Sequence, residues 1–314
     1  RPAFRSPEAV IRDIQNISRF SNGPIFILGD LRQPGNDYAE KIFHFLEQVH
    51  PKNRFILELF SPAPGEFLQR MSRACPGFYL EISPESHDPE IRRTIGRPYT
   101  TEELEGTLAE ALELGCSRLD VFFMIGLPKQ TPQSVMETID YCDHLFSKFN
   151  GDKRLSLFIS PLAPFLDPGS IAFESPQRFG YNVLFRSLEE HRQAIASPSW
   201  QYSLNYETKW LSRDQLVDVS YEAIRQLNRL RVKYQAVTQR LAEITERRLD
   251  AAQEMAHRLD YLIARKDYEA IERLKPEIDR INAFPVPEKI QLEVPPPAIK
   301  IKPFRALWYA LTGR

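Results

Sequence analysis

From residue 6 to about residue 175 the chain alternates short apolar runs with amphipathic stretches, the rhythm of βα units laid around a parallel sheet. Ser6-Pro7-Glu8 supplies a cap, a first-turn proline and an acid ahead of Val10, Ile11, Ile14 and Ile17, which predicts a helix running toward Asn22-Gly23. Residues 25–28 form an apolar run that reads as a buried strand ending at Gly29-Asp30. Ile42, Phe45, Leu46 and Val49 then give residues 38–49 helical spacing. The same reasoning predicts a strand at 55–60, a helix at 66–73, a strand at 78–82 and a polar loop through Thr100. Thr100 or Thr101 caps a helix over 102–114 that Gly115 closes, and a strand at 119–125, a helix at 131–149 and a strand at 155–159 follow.

These five strands each follow a helix, so the unit that the first helix belongs to lacks its strand, and a sixth strand is expected upstream of Arg1. The expected fold class is therefore α/β: a partial, TIM-like (β/α)6 barrel over residues 1–175, missing its first strand, followed by an α-helical C-terminal region. In such a barrel the active centre lies at the carboxyl ends of the strands, where the loops 29–35, 83–97, 126–131 and 160–170 converge. Residues 176–211 are expected to form a barrel-closing connection. From Ser212 the composition shifts to charged helix formers. Ser212-Arg213-Asp214-Gln215 fits a capping box, and Leu216, Val219, Tyr221, Ile224, Leu227 and Leu230 keep one apolar stripe. Residues 212–283 thus read as a helical hairpin or bundle rather than part of the barrel. Residues 284–314 form a proline-rich tail, in which Pro295-Pro296-Pro297 excludes regular structure.

Composition narrows the partners. Of 314 residues 42% are apolar, enough for a substantial core, and 41 basic side chains face 42 acidic ones, so no net field draws the chain to nucleic acid or an anionic membrane. No apolar run approaches a bilayer's thickness, and Arg1 to Arg5 lack a signal peptide's apolar segment, so a cytoplasmic location is expected. The chain opens on Arg1 rather than methionine, which suggests that upstream residues are missing. Cys75, Cys116 and Cys142 are too few and too dispersed for a disulfide framework or a zinc ribbon, and read as reduced core residues. The six histidines have no metal-ligand spacing, and no nucleophile elbow, P-loop or dinucleotide fingerprint occurs. Trp200, Tyr202, Tyr206 and Trp210 fit the apolar edge between barrel and helices, or a substrate mouth.

Four segments carry candidate chemistry. Gly126-Leu127-Pro128-Lys129-Gln130-Thr131 joins a strand to a helix, which would leave backbone amides free at a helix N-terminus for a polar or anionic ligand; a plain turn is the alternative. Glu81-Ile82-Ser83-Pro84-Glu85-Ser86-His87-Asp88 gathers acceptors at a strand's carboxyl end, with Arg92, Arg93 and Arg97 beyond them. That set suits a ligand bearing hydroxyls, an ammonium and a carboxylate, or equally a solvated loop. Gly29-Asp30 ends the first strand, where the aspartate either receives a cation or caps the next turn. Residues 160–170, with Pro161, Pro164, Asp167 and Pro168, make a rigid connection.

Together these segments resemble radical S-adenosylmethionine (SAM) enzymes of the cobalamin-associated type, over residues 1 to about 206. The turn at Gly126 is similar to a Gly-Leu-Pro-Gly-Gln-Thr turn whose backbone, at Ile125, Gly126 and Leu127, approaches the adenine of SAM; Lys129 replaces that family's glycine. Glu85-Ser86 followed by Arg97-Pro98-Tyr99-Thr100 is similar to a segment in which an acceptor and a serine face the ribose or methionine portion of SAM and a basic residue meets its carboxylate; His87 stands where glycine is common. Gly29 and Asp30 occupy the place of a motif that receives the SAM ammonium group, and residues 160–170 are similar to a proline-rich turn after the last barrel strand. The resemblance implies SAM and a 4Fe–4S cluster as cofactors, a reductant such as flavodoxin or ferredoxin, and a small-molecule or other substrate inside the barrel. In that family a CxxxCxxC loop holds the cluster, which cleaves SAM reductively to a 5′-deoxyadenosyl radical. The cysteines here are never closer than 26 positions, so the cluster loop is expected upstream of Arg1 and the chain alone is expected to be inactive. Cobalamin-dependent methyl transfer is one chemistry of such members. The rival readings are a non-catalytic barrel serving as an interaction module through residues 212–281, and a barrel enzyme of different chemistry.

Overall fold

The computed structural model describes residues 3–161 and 166–282, together with residues 308, 310 and 311. Ser6 caps the first helix, α1 (Pro7–Phe20), by accepting the Ala9 amide, and Ile14 buries its inner face. Then follow β1 (Ile25–Ile27), α2 (Asn36–Val49), β2 (Phe55–Leu59), α3 (Gly65–Ala74), β3 (Tyr79–Glu85), α4 (Pro89–Thr94), α5 (Thr101–Glu113), β4 (Arg118–Ile125), α6 (Pro132–Lys148) and β5 (Leu155–Pro161). The five strands form one parallel sheet in the order β1-β2-β3-β4-β5, as expected for a partial TIM-like barrel.

The two faces of the sheet differ in chemistry because strand side chains alternate. Ile27, Leu57, Leu59, Leu80, Ile82, Val121, Phe123 and Leu157 point into the helical layer and are buried. At about 1.5–3 kcal/mol for each such side chain, this face supplies the main driving force for the barrel. The other, concave face carries Phe26, Ile56, Glu58, Glu81, Asp120, Phe122, Ser156 and Phe158, and it is more polar and more open.

Two elements depart from the sequence pattern. β3 continues to Glu85, three residues past its expected end, because an irregularity between Ile82 and Glu85 absorbs Ser83-Pro84, and Glu85 still pairs with Phe123. The loop expected up to Thr100 contains α4, which Asp88 caps at the Glu90 amide and Pro89 starts.

Beyond β5 the chain forms α7 (Ile171–Glu174), α8 (Pro176–Phe179), β6 (Tyr181–Val183), α9 (Leu188–Ile195), a 3-10 turn Trp200–Ser203, and β7 (Tyr206–Thr208), which pairs antiparallel with β6. Three helices complete it: α10 (Arg213–Lys233), α11 (Gln239–Ala264) and α12 (Tyr268–Asn282). The expectation that these helices stand apart from the barrel needs correction. Leu216, Val217, Val219, Tyr221, Ala223 and Leu227 of α10 belong to the same core as the strands, and Arg231 donates to the Leu157 carbonyl at 2.6 Å on the outer edge of β5. An uncovered edge strand would expose a row of unpaired backbone groups, and α10 lies along it. Only α11 and α12 share a small core of their own, around Met255, Leu259 and Ile278. Leu162 to Phe165 of the proline-rich turn and nearly all of the 284–314 tail lie outside the described residues. Among the described residues no helix is long and apolar enough to cross a membrane.

Candidate functional site

The carboxyl ends of β1, β2 and β3 surround a cavity of about 620 Å³ lined by Asp30, Arg32, Phe60, Ser61, Arg97 and Tyr99, among others. Asp30 is buried and engages both carboxylate oxygens. Oδ1 accepts the Arg32 amide and Nε, while Oδ2 accepts Arg32 Nη2 at 2.5 Å and the Phe60 amide at 3.3 Å. Arg32 also donates to the carbonyls of Ser61 and Pro62. Asp30 therefore ties the β1 loop to the end of β2. The Gly29 amide donates to Glu58 Oε2 at 2.7 Å, so Glu58, which the sequence reading did not single out, shapes the same loop.

Glu85 sits in the left-handed region with φ of 67° and is 7% exposed. Its Oε1 accepts Arg97 Nη2 at 2.6 Å, whereas its Oε2 is buried without a hydrogen-bond partner. Arg97 also donates to the Phe60 carbonyl and lies 5.4 Å from that ring, so it spans the cavity floor. The Ser86 hydroxyl turns back to accept the Asp88 amide and is fully buried, so it shapes the loop. Holding this loop is Arg92. It donates to the carbonyls of Ser86, His87 and Tyr99 and to Thr101 Oγ1, and its guanidinium lies 5.1 Å over the Tyr99 ring.

One strand over, Ile125, Gly126 and Leu127 are buried at the end of β4. The amides of Gly126 and Leu127 are not free at a helix N-terminus, as the sequence suggested. Both donate to Gln130 Oε1, at 2.7 and 3.1 Å, and Gln130 Nε2 returns a bond to the Met124 carbonyl. The helix starts later, at the capping box of Thr131 and Ser134. Gln130 thus closes a rigid turn whose Gly126 carbonyl accepts the Tyr181 hydroxyl at 3.0 Å. Lys129 adopts φ of 66°, which explains physically why a glycine suits that position.

On the concave face, strand register aligns Glu58, Glu81, Asp120 and Ser156 in one row across β2 to β5. Burial, then Asp120 and Glu58, push the Glu81 carboxyl up to about 7. Burial also raises Glu85 to about 7, against the opposing pull of Arg97. Both hold a proton more tightly when the chain is folded, so their contribution to stability is complete below about pH 4.5 and lost as pH rises through 7. The thermal midpoint is therefore expected to fall between pH 5.5 and pH 8, and Glu81→Gln and Glu85→Gln should each flatten that slope. A midpoint independent of pH across this window, measured by circular dichroism, would contradict the assignment.

The described residues contain no group of three or more potential metal ligands. Cys75, Cys116 and Cys142 are buried free thiols in separate parts of the core, with burial raising all three and Cys75 and Cys116 reaching about 12. Three thiols that form no cluster with one another or with other ligands among the described residues do not fit an iron–sulfur cluster.

The Radical SAM superfamily model matches residues 1–142, from α1 into α6. Three solved structures are among those to which the chain is similar. The radical SAM methyltransferase TsrM of Kitasatospora setae, with tryptophan substrate and a SAM analogue bound, is 16% identical with a TM-score of 0.40, covering 50% of this chain and 30% of that one. Coproporphyrinogen III oxidase HemN of Escherichia coli, a radical SAM enzyme, is 18% identical with a TM-score of 0.45, covering 71% and 45%. HydG, a maturase of the [FeFe]-hydrogenase, is 11% identical with a TM-score of 0.37, covering 73% and 56%. The chain thus spans less than two thirds of each of these proteins. No curated protein matches it.

Proposed function

We propose that this chain is part of a radical SAM enzyme and that the cavity at the carboxyl ends of β1 to β3 receives the methionine and ribose portions of SAM. The observation that carries this reading is Glu85 Oε2, a buried acceptor without a partner on a carboxylate held by Arg97, which lines a cavity large enough for a small cofactor. Arg97 has donors beyond those it gives to Glu85 and Phe60, and these suit the SAM carboxylate. Glu85 Oε2 suits a ribose hydroxyl or the ammonium group. Asp30 and Ser86 hold the loops in place, and the Ile125-Gly126-Leu127 backbone offers the adenine a rigid edge.

Bound SAM, given an electron, supplies a carbon radical able to abstract hydrogen from a substrate. The part played by this chain's residues is to bind and orient SAM and to enclose the concave face from water, where Glu58, Glu81 and Asp120 face a small-molecule substrate. The cluster's cysteines belong, on this reading, outside the described residues, and a reductant of the flavodoxin or ferredoxin kind would serve the complete protein. Cobalamin-dependent methyl transfer is the finer form of the proposal. It rests on the resemblance of residues 160–170 and assigns no step to the residues described.

Without the cluster's chelating iron, SAM should bind this chain weakly, and Glu85→Ala should weaken it by about tenfold or more, as expected for loss of a charged acceptor. Ligand-observed NMR measures both. No SAM signal, or one that Glu85→Ala leaves unchanged, would count against the site. Tight binding would contradict the role given to the absent iron.

A further inference from the structure

At the opposite end of the sheet, between the starts of β3, β4 and β5 and the helices α10 and α11, lies a second cavity of about 730 Å³. Five cations line it: Arg118, Lys153, Arg154, Arg231 and Arg240. No acidic side chain lines it among the described residues. Asp120 and Asp152 stand nearby and pair with Arg118 at 2.9 Å and Arg154 at 2.6 Å. Asp120 also acts on Arg231, whereas Lys153 and Arg240 have no carboxylate partner among the described residues. Lys153 donates to the carbonyls of Tyr234 and Gln235, Arg231 donates to the Leu157 carbonyl, and Arg240 is exposed on the first turn of α11. In a chain whose charges otherwise balance to within one unit, five cations on one concavity with only Asp120 and Asp152 beside them are a local excess.

We propose that this cavity binds a phosphate-bearing ligand. The excess charge calls for a group carrying more than one negative charge, which a phosphate monoester has and a single carboxylate lacks. Its three oxygens can meet guanidinium and ammonium donors from the turn before β5, from α10 and from α11 at once, with the hydroxyls of Ser156 and Thr238 also on the wall. The start of α11 adds the positive end of a 26-residue helix. Tyr79, Ser156 and Phe158 place the cavity on the concave face, where Phe158 stacks on Phe122 at 4.8 Å, so the organic part of such a ligand has an aromatic wall. This site is independent of the SAM reading. It shares no residue with the cavity at the carboxyl ends.

The test is a titration of this chain with inorganic phosphate and with glycerol 3-phosphate, followed by isothermal calorimetry and by thermal shift against sodium chloride of equal ionic strength. Both phosphates should raise the midpoint beyond the chloride control. Tighter binding of glycerol 3-phosphate would identify a phosphorylated organic ligand, and equal binding would identify the phosphate group alone as what is recognised. Arg240→Ala should weaken phosphate about five- to tenfold, and Arg240→Glu with Lys153→Met should abolish the effect. Arg240 is exposed, and an acid in the first turn of a helix is favourable, so the Arg240→Glu chain should fold. A midpoint shift no greater than chloride gives, or phosphate binding that persists in the double variant, overturns the proposal.

Discussion

Replacing Arg92 by alanine is expected to lower the stability of the fold by about 3–5 kcal/mol, the range for removing a charged hub from a buried network. Arg92 is fully buried and, among the described residues, is the largest side chain so enclosed. Its two terminal nitrogens bind four acceptors spread from Ser86 to Thr101, at 2.7 to 3.2 Å. Removing it leaves three carbonyls and a hydroxyl without their donor, and an unmade buried hydrogen bond costs about 1–3 kcal/mol. It also frees the loop that carries Ser86 and Arg97. Arg92→Lys should fail to rescue it, because one ammonium cannot span acceptors set for a planar fork. Urea unfolding measures the loss. A change below about 1 kcal/mol for Arg92→Ala would show that the loop holds itself.

Gly126→Ala is expected to cost about 2–4 kcal/mol, for two reasons that add. Its φ of 97° lies where an L side chain is strained, and a new Cβ would stand 2.6 Å from Tyr206 Oη and 3.1 Å from Tyr206 Cε2. Tyr206 cannot step aside, since it is itself fully buried and packs edge-on against Tyr181, which is bonded to the Gly126 carbonyl. The strain would fall on the turn that Gln130 closes, so SAM affinity should fall along with stability. Tyr206→Phe in the same chain should recover part of the loss by removing the hydroxyl. If the double variant is no more stable than Gly126→Ala alone, the clash is not the cause.

The sheet was legible because each strand is a short apolar run set between helices with clear caps, and the caps at Ser6, Thr100, Thr131 and Ser212 all form. β6 and β7 escaped because three residues carry no period. α10 was read as separate because its apolar stripe does not say which surface it covers; only the structure sets it along the edge of β5. At the site, Glu85 and Arg97 meet as an ion pair, yet neighbouring arginines show the limit of sequence. Arg92 and Arg93 read alike, but one is wholly buried and the other exposed, because consecutive residues of α4 point about 100° apart around its axis. The row of Glu58, Glu81 and Asp120 spans three strands and depends on register, which no local pattern records. Gln130 took the amides that the sequence left for a ligand, since a side chain four residues on can fold back into the turn.

On the proposed reading these residues serve a radical SAM reaction. The most direct test is to express the complete encoded protein, reconstitute it anaerobically with iron and sulfide, add dithionite and SAM, and measure 5′-deoxyadenosine. 5′-Deoxyadenosine should form, and Glu85→Ala and Arg97→Ala should reduce it severely while the cluster's absorbance stays intact. A reconstituted cluster that yields no 5′-deoxyadenosine from the unaltered protein, or yields that are indifferent to both substitutions, would contradict it.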